Sequence, residues 1–184
     1  MPEMRLKRSK ISSLPRIGYS FAIRKNLHSV TYHGLGPHEN YPDRKSGSEM
    51  GIWTTSPNSM GYDYIFPSET GNRSDCSWVM FRGKDTREKV RGAGSKIRNN
   101  TDGFMIVSQH RNDHQKFHFS ALLHSQLELH RATHTHQLEQ RNEGDHIIYC
   151  NFDSHLMGIG GDVGWAPCVY DEYLLNPDRE YSSE

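Results

Sequence analysis

The sequence has no net charge and no long apolar run. Its 184 residues carry 22 basic and 22 acidic side chains, so no overall field favours nucleic acid or an anionic lipid surface. No stretch approaches the roughly 20 apolar residues of a membrane-spanning helix. The basic residues between Arg5 and Lys10 are not followed by the apolar core of a secretory signal. We therefore expect no nucleic-acid partner, no membrane partner and a cytoplasmic location.

Cysteine is also sparse, and its spacing matches no known framework. The three cysteines, Cys76, Cys150 and Cys168, are an odd number at wide intervals, which fits neither a zinc signature nor a dense set of disulfides. Reduced thiols in a cytosolic protein are the simplest interpretation. The paired His134 and His136 would share one face of a strand, but no second ligand motif accompanies them. We expect hydrogen-bonded histidines and no metal site.

Signatures of common catalytic and nucleotide-binding sites are missing as well. There is no Gly-x-Ser-x-Gly elbow. The glycines between Gly158 and Gly161 are not followed by a helical pattern, and no strand-helix-strand unit surrounds them, so a phosphate site is not indicated. We assign no catalytic residue to this chain.

The sequence does contain short alternating segments that are punctuated by glycine and proline. They are Gly18 to Ile23, Ser29 to His33, Ser77 to Phe81, Gly103 to Val107, Lys116 to Ser120, His146 to Phe152 and Val169 to Leu174. Seven short strands at regular spacing predict an antiparallel β-sandwich. Ser125 to Ala132 predicts a two-turn helix. Lys84 to Asn100 is rich in charge and glycine, and we expect a mobile loop there.

Three further segments combine glycine, proline, acids and aromatic residues. They are Gly34 to Arg44, Tyr64 to Arg73 and Met157 to Pro167. With Leu14 to Gly18 and Ala132 to His136, they occur in an order that resembles the C-terminal domain (domain 5, or small chain) of the glycoside hydrolase family 2 β-galactosidases. The resemblance covers the chain from about Leu14 to about Leu175.

The resemblance implies an all-β fold, an antiparallel supersandwich of the galactose-mutarotase-like type whose first strands this chain would lack. Residues 1–13 would then form a disordered basic lead-in, 14–175 a partial small-chain domain and 176–184 a polar tail. A sheet cut in this way exposes an unpaired edge and one side of its core. We therefore expect a fragment, or a subunit that another chain completes.

The resemblance also implies a function. The whole enzyme would hydrolyse terminal β-D-galactosides such as lactose with retention of configuration. Its two catalytic carboxylates, with the Mg²⁺ and Na⁺ ions that serve them, would lie on a barrel domain in a large chain or upstream segment. This chain would close one side of the active site and hold no cofactor itself. Its partners would be the sugar, that catalytic domain and, in a homo-oligomer, further copies.

The expected sugar-contacting residues are Trp165, Asp162 and Glu39. Trp165 lies among glycines and a proline, and an exposed indole offers a flat apolar face to the C–H face of a pyranose. By the resemblance it contacts the sugar, chiefly on the aglycone side, although Val163-Gly164 stands where relatives often carry Asp-Ser.

The acids and bases of the other two motifs have two interpretations. Glu39 or Asp43 would accept hydrogen bonds from sugar hydroxyls, or both would form a structural corner in which Arg44 pairs with a carboxylate. The same two interpretations apply to Glu69 and Arg73.

Other classes of function stay open at this level. One is a sugar-binding module without hydrolysis, and another is a mutarotase-like epimerase, for which the paired histidines are the only acid and base candidates. The last is a non-functional remnant.

Overall fold

The computed structural model describes residues 12–83, 102–108, 116–138, 147–161 and 168–181. Its eight described strands are β1 (Arg16–Arg24), β2 (Ser29–Gly36), β3 (Glu49–Thr55), β4 (Arg73–Cys76), β5 (Trp78–Arg82), β6 (Gly103–Val107), β7 (Phe117–Leu122) and β8 (Ile147–Leu156). The described helices are α1 (Pro57–Met60) and α2 (Gln126–Arg131), with 3-10 turns at Thr135–Gln137 and Asp171–Tyr173. No helix among these residues is long and apolar enough to cross a membrane.

The strands form two antiparallel sheets with the orders β1-β8-β7-β4 and β3-β2-β5-β6. The two sheets enclose a common core, which confirms the predicted all-β sandwich. Strand alternation explains the packing: along β2, Val30 and Tyr32 are fully buried while Thr31 and His33 point outwards. The larger supersandwich stays an expectation from the resemblance.

Aromatic rings fill the centre of the sandwich. Phe119 of β7 stacks on Phe152 of β8 with centroids 6.0 Å apart, and Tyr32 meets Phe119 edge-on at 5.2 Å. Phe81 joins them from β5. Burial of each such ring contributes about 2–3 kcal/mol, so these four side chains hold the two sheets together.

The local predictions succeed where the sequence is periodic. Strands β1, β2, β5, β6, β7 and β8 overlap the predicted segments, and helix α2 is confirmed. Ser125 caps α2, since its side chain accepts from the N–H of Glu128 while the Glu128 carboxylate accepts from the N–H of Ser125.

The strand predicted at Val169 to Leu174 is wrong. Asp171–Tyr173 forms a 3-10 turn in which the N–H of Tyr173 donates to the carbonyl of Tyr170. The carbonyl of Tyr173 instead accepts from the N–H of Gly158, so this segment supports a loop rather than a sheet. Strands β3 and β4 are absent from the predictions, whereas the segment Lys84 to Asn100 lies outside the described residues.

Strand β1 extends beyond the cover of the opposite sheet. Tyr19 and Phe21 project on the same face as buried residues of β8, yet they are 80% and 40% exposed. Phe21 stacks on Phe152 at 5.3 Å, so the aromatic core continues into this uncovered edge. Among the described residues, β1 pairs with β8 alone.

The predicted lead-in is described only at its end. There the N–H of Leu175 donates to the hydroxyl of Ser13, and the N–H of Leu14 donates to the carbonyl of Leu175. The division of the chain at residues 13 and 175 stays a prediction.

Candidate functional site

A cavity of about 550 Å³ lies where the three motifs meet. Its walls come from the start of β1, the motif Gly34 to Arg44, the motif Tyr64 to Arg73 and the segment after β8. The lining residues are Pro15, Arg16, Arg44, Tyr64, Ser68, Glu69, Leu156, Met157, Gly158, Ile159, Gly160, Gly161 and Val169. Its lining combines apolar side chains and glycines with two arginines, a glutamate and a tyrosine, a composition that suits a polyhydroxylated ligand.

Glu39 joins the first two motifs beside this cavity. Its Oε1 accepts hydrogen bonds from Arg44, at 2.7 Å, and from the Tyr64 hydroxyl. Its Oε2 accepts from the hydroxyl of Thr70 at 2.9 Å and from the N–H of Gly71 at 2.8 Å. Four donors therefore occupy the acceptor positions that a carboxylate offers.

The electrostatics of Glu39 agree with this role. Burial disfavours its charge, but the hydrogen bonds from Gly71, Tyr64 and Thr70 and the nearby Arg44 charge outweigh burial and lower the pKa of Glu39. The side chain is thus an ionised clamp between two loops. Contact between Glu39 and a sugar stays a prediction.

A second network lies deeper, where one guanidinium joins two carboxylates. Arg16 of β1 donates to Glu69 at 2.5 Å and to Asp153 of β8 at 3.1 Å. The other oxygen of each carboxylate, Glu69 Oε1 and Asp153 Oδ1, is buried with no hydrogen-bond partner among the described residues. Arg16 and Glu69 line the cavity, but the unpaired oxygen of Glu69 is itself buried.

Burial raises the pKa of both acids in this network. The pKa of Asp153 rises to about 6, although the Arg16 charge opposes the shift. The pKa of Glu69 also rises, against the same opposing charge. The cross-strand neighbour of Asp153 is His118, whose pKa burial lowers to about 4. Both groups pay a desolvation cost when charged.

Asp43 ties the first motif to the last. Its Oδ2 accepts a hydrogen bond of 2.7 Å from the N–H of Gly160. Gly160 has a φ of +68°, and a side chain there would collide with the carbonyl oxygen of Cys168. Glycine is therefore required at a point where the two ends of the 160–168 stretch approach closely.

The remaining predicted residues have different outcomes. Arg73 is buried and faces away from the cavity, where it donates to the hydroxyl of Tyr32 at 3.0 Å and to backbone carbonyls, so the structural-corner interpretation holds for it. Trp165 and Asp162 lie outside the described residues. Their roles stay predictions.

Sequence reasoning missed Arg16 and Asp153. Both lie in strands, and their pairing spans 137 residues, so no local pattern indicates it. The thiols of Cys76 and Cys150 are buried, that of Cys168 is exposed, and all three are free.

The sequence of this chain is similar to known proteins along nearly its whole length. It matches the family model described as "Beta galactosidase small chain" over residues 2–184. It is 36% identical to a β-galactosidase of Leuconostoc mesenteroides over 168 residues, covering 91% of this chain and 14% of that protein. It is 34% identical to a β-galactosidase of Vibrio cholerae over 174 residues, covering 94% of this chain and 14% of that protein.

A β-galactosidase of Pseudoalteromonas haloplanktis is 37% identical over 163 residues, which cover 88% of this chain and 13% of that protein. The chain thus spans 13–14% of the length of these curated relatives. The family model and the aligned relatives agree along nearly the whole sequence, so the chain belongs to the β-galactosidase small chain family.

Proposed function

We propose that this chain is the C-terminal portion of a β-galactosidase that hydrolyses terminal β-D-galactosides such as lactose with retention of configuration. The observation that carries the proposal is the 36% identity to a β-galactosidase across 91% of the chain. The 168 residues that align with this relative include the three motifs that surround the cavity.

The chain would close one side of the active site and contact the sugar. Its cavity is lined by both apolar side chains and hydrogen-bonding groups, which is the combination that a sugar ring requires. Trp165 would stack on the C–H face of the ring. Asp162 would accept hydrogen bonds from hydroxyls. Glu39 and Asp43 would serve chiefly by holding the loops in place.

The chemistry would belong to another part of the enzyme. A retaining glycosidase needs one carboxyl group as acid and base and a second as nucleophile, about 5 Å apart. In the described residues, Glu69 and Asp153 share the Arg16 guanidinium, which neutralises one of them and occupies an oxygen of each. By the resemblance to the family 2 enzymes, the catalytic carboxylates, with Mg²⁺ and Na⁺, would lie on a barrel domain of a large chain or upstream segment.

The proposed setting is the cytoplasm. Free thiols at Cys76, Cys150 and Cys168 suit a reducing compartment. The complete enzyme would contain the small-chain domain, its catalytic domain and, in a homo-oligomer, further copies of both.

A complementation assay tests the proposal. The purified chain is assayed with a chromogenic β-galactoside, alone and mixed with the Leuconostoc mesenteroides β-galactosidase from which the stretch aligned to this chain has been removed (the truncated relative). Hydrolysis in the mixture alone is the expected result.

Two other results would contradict the proposal. Hydrolysis by the chain alone would place catalytic carboxylates here. A mixture that forms a complex without activity, while the chain alone binds galactosides, would favour a sugar-binding module.

A further inference from the structure

The outward side of the sheet β3-β2-β5-β6 carries seven apolar side chains, beside the polar Ser29, Thr31, His33 and Thr54 and the charged Arg82. One row of cross-strand neighbours runs over all four strands. In it, Ile52 pairs with His33, His33 with Trp78 and Trp78 with Val107. The neighbouring rows add more apolar side chains. We call this surface the outer face, and its apolar members are Leu35, Met50, Ile52, Trp78, Met80, Met105 and Val107.

This composition is unusual for a solvated sheet. An antiparallel sheet that packs one side on a core ordinarily presents polar residues on the other side. Here Ile52 is 67% exposed, and Met105 and Val107 are each 51% exposed. Register places Arg82 at one corner, and it is the only charged side chain that the described strands contribute to this side.

Two aromatic rings pack together at the centre of the outer face. Trp78 and His33 stack with ring centroids 6.4 Å apart, and the Nδ1 atom of His33 is 3.1 Å from the hydroxyl of Ser77. An aromatic pair with methionines nearby is a pattern typical of protein-binding surfaces. The largest exposed apolar patch of a protein, typically about 300–600 Å², often has a function, and this face is at the lower end of that range.

We propose that the outer face is a docking surface for the remaining β-galactosidase polypeptide, the part that corresponds to the large chain. This inference rests on the proposed function. In the relatives, the stretch that aligns with this chain is only 13–14% of the whole protein. The stretch therefore belongs to a much larger polypeptide in those proteins. An uncharged surface selects a partner by apolar shape rather than by charge, which excludes nucleic acid and anionic surfaces.

The size of the face argues against a second copy of this chain. Four strands about 4.8 Å apart and about five residues long give a flat area of about 300 Å². A stable stand-alone interface buries about 800 Å² per partner. Two copies that met through this face alone would therefore bury too little surface for a stable dimer. A large partner can instead use it as the apolar centre of a wider interface.

Binding of the full chain to the truncated relative tests the inference. Ile52→Lys and Val107→Lys place an ammonium group at opposite edges of the face, whereas Leu127→Lys is the matched control on α2, where Leu127 is 54% exposed. We expect each outer-face variant to weaken binding in sedimentation velocity by about tenfold or more, because a charge buried at an apolar contact is unpaired. The control should bind as the unmodified chain does, and all variants should keep its unfolding temperature.

Methionine oxidation provides a second measurement that needs no variant. Hydrogen peroxide should oxidise Met50 and Met105 in the free chain and do so more slowly in the mixture. Met60, which is 2% exposed, reports on unfolding and should resist oxidation in both.

The outcomes separate the inference from the function it rests on. If the unmodified chain does not bind the truncated relative, the proposed function fails and the inference fails with it. If the chain binds but both variants bind equally well and the methionines stay reactive, the partner docks elsewhere and only the inference is overturned. A further outcome would also overturn the inference. If the free chain associates with itself and Ile52→Lys abolishes this association, the face binds a second copy of the chain.

Discussion

The carboxylate of Asp43 accepts a hydrogen bond of 2.7 Å from the backbone N–H of Gly160, although 117 residues separate them in the chain. Gly158 packs against the same carboxylate. The motif that begins at Gly34 therefore holds the segment from which residues 162–167 continue. Any role of Trp165 at a sugar depends on this attachment.

Asp43→Ala should lower the free energy of unfolding by about 1–3 kcal/mol, because the N–H of Gly160 loses its acceptor in a partly buried position. Asp43→Asn retains an acceptor oxygen and should lose less. Urea unfolding measures both. Asp63→Ala, at an exposed position, is the control. Equal stability of Asp43→Ala and the control would show that the bond is dispensable.

Trp165→Ala should raise the Michaelis constant of the complemented enzyme by a factor that corresponds to about 1–3 kcal/mol, since the apolar ring that would stack on the sugar is removed. Trp165→Phe should lose less because an aromatic face remains. Steady-state kinetics on a chromogenic galactoside, with unfolding curves as the folding control, measure the effect. An unchanged Michaelis constant in Trp165→Ala would exclude the stacking role.

Glu39→Gln should destabilise the fold by about 2–4 kcal/mol, because an amide in the same place turns N–H groups towards two of the four donors. Arg44→Ala should cost less than about 1 kcal/mol, since Arg44 is half exposed and its ion pair is screened by water. Chemical denaturation at neutral pH measures both variants. If Arg44→Ala were the more damaging, the ion pair and not the loop clamp would be the principal interaction.

The pKa of Glu39 gives the same clamp a pH dependence. Because this pKa is lower in the folded state, the unfolded state binds a proton first as the pH falls. The stability that Glu39 contributes is therefore fully present above the unfolded pKa and is lost as the pH falls through the folded one. In Glu39→Gln, this pH-dependent contribution to the free energy of unfolding should be absent.

Asp153 and His118 should act on stability in opposite directions. The pKa of Asp153 is raised to about 6, so between pH 4 and 6 the folded state holds a proton that the unfolded state has lost, and stability falls as the pH rises. The pKa of His118 is lowered to about 4, so between pH 4 and 6.5 the unfolded state holds the extra proton, and stability rises with pH. In the unmodified chain these two slopes partly cancel.

Asp153→Asn should expose the His118 contribution. Its free energy of unfolding should increase between pH 4.5 and 6.5 more steeply than that of the unmodified chain, by about 1–3 kcal/mol over this range. For His118→Gln, the free energy of unfolding should instead rise less steeply with pH than that of the unmodified chain, or fall. Urea titrations at several pH values measure both curves. Parallel curves for all three proteins would mean that neither group titrates as burial requires.

Local periodicity accounts for the part of the fold that could be predicted. The strands with alternating apolar residues, such as β2 and β5, and the capped helix α2 were predicted because their signals lie within a few neighbouring residues. Strand β4 was not, since Arg73, Ser74 and Asp75 carry no apolar alternation. It is a strand because buried partners elsewhere satisfy its polar groups: the side chain of Asn40 accepts from the N–H of Ser74 at 2.8 Å.

The sequence by itself determined six of the strands, helix α2, the loop motifs and the family, because each of these depends on residues close together in the chain. Only the tertiary structure decided that Arg16 meets Asp153, that Asp43 meets Gly160 and that one side of β3-β2-β5-β6 is left apolar. The physical reason is that periodicity specifies which side of a strand is apolar, but not what that side will face. Burial, which sets the pKa of Asp153 and the exposure of Ile52, is a property of the assembled sheets.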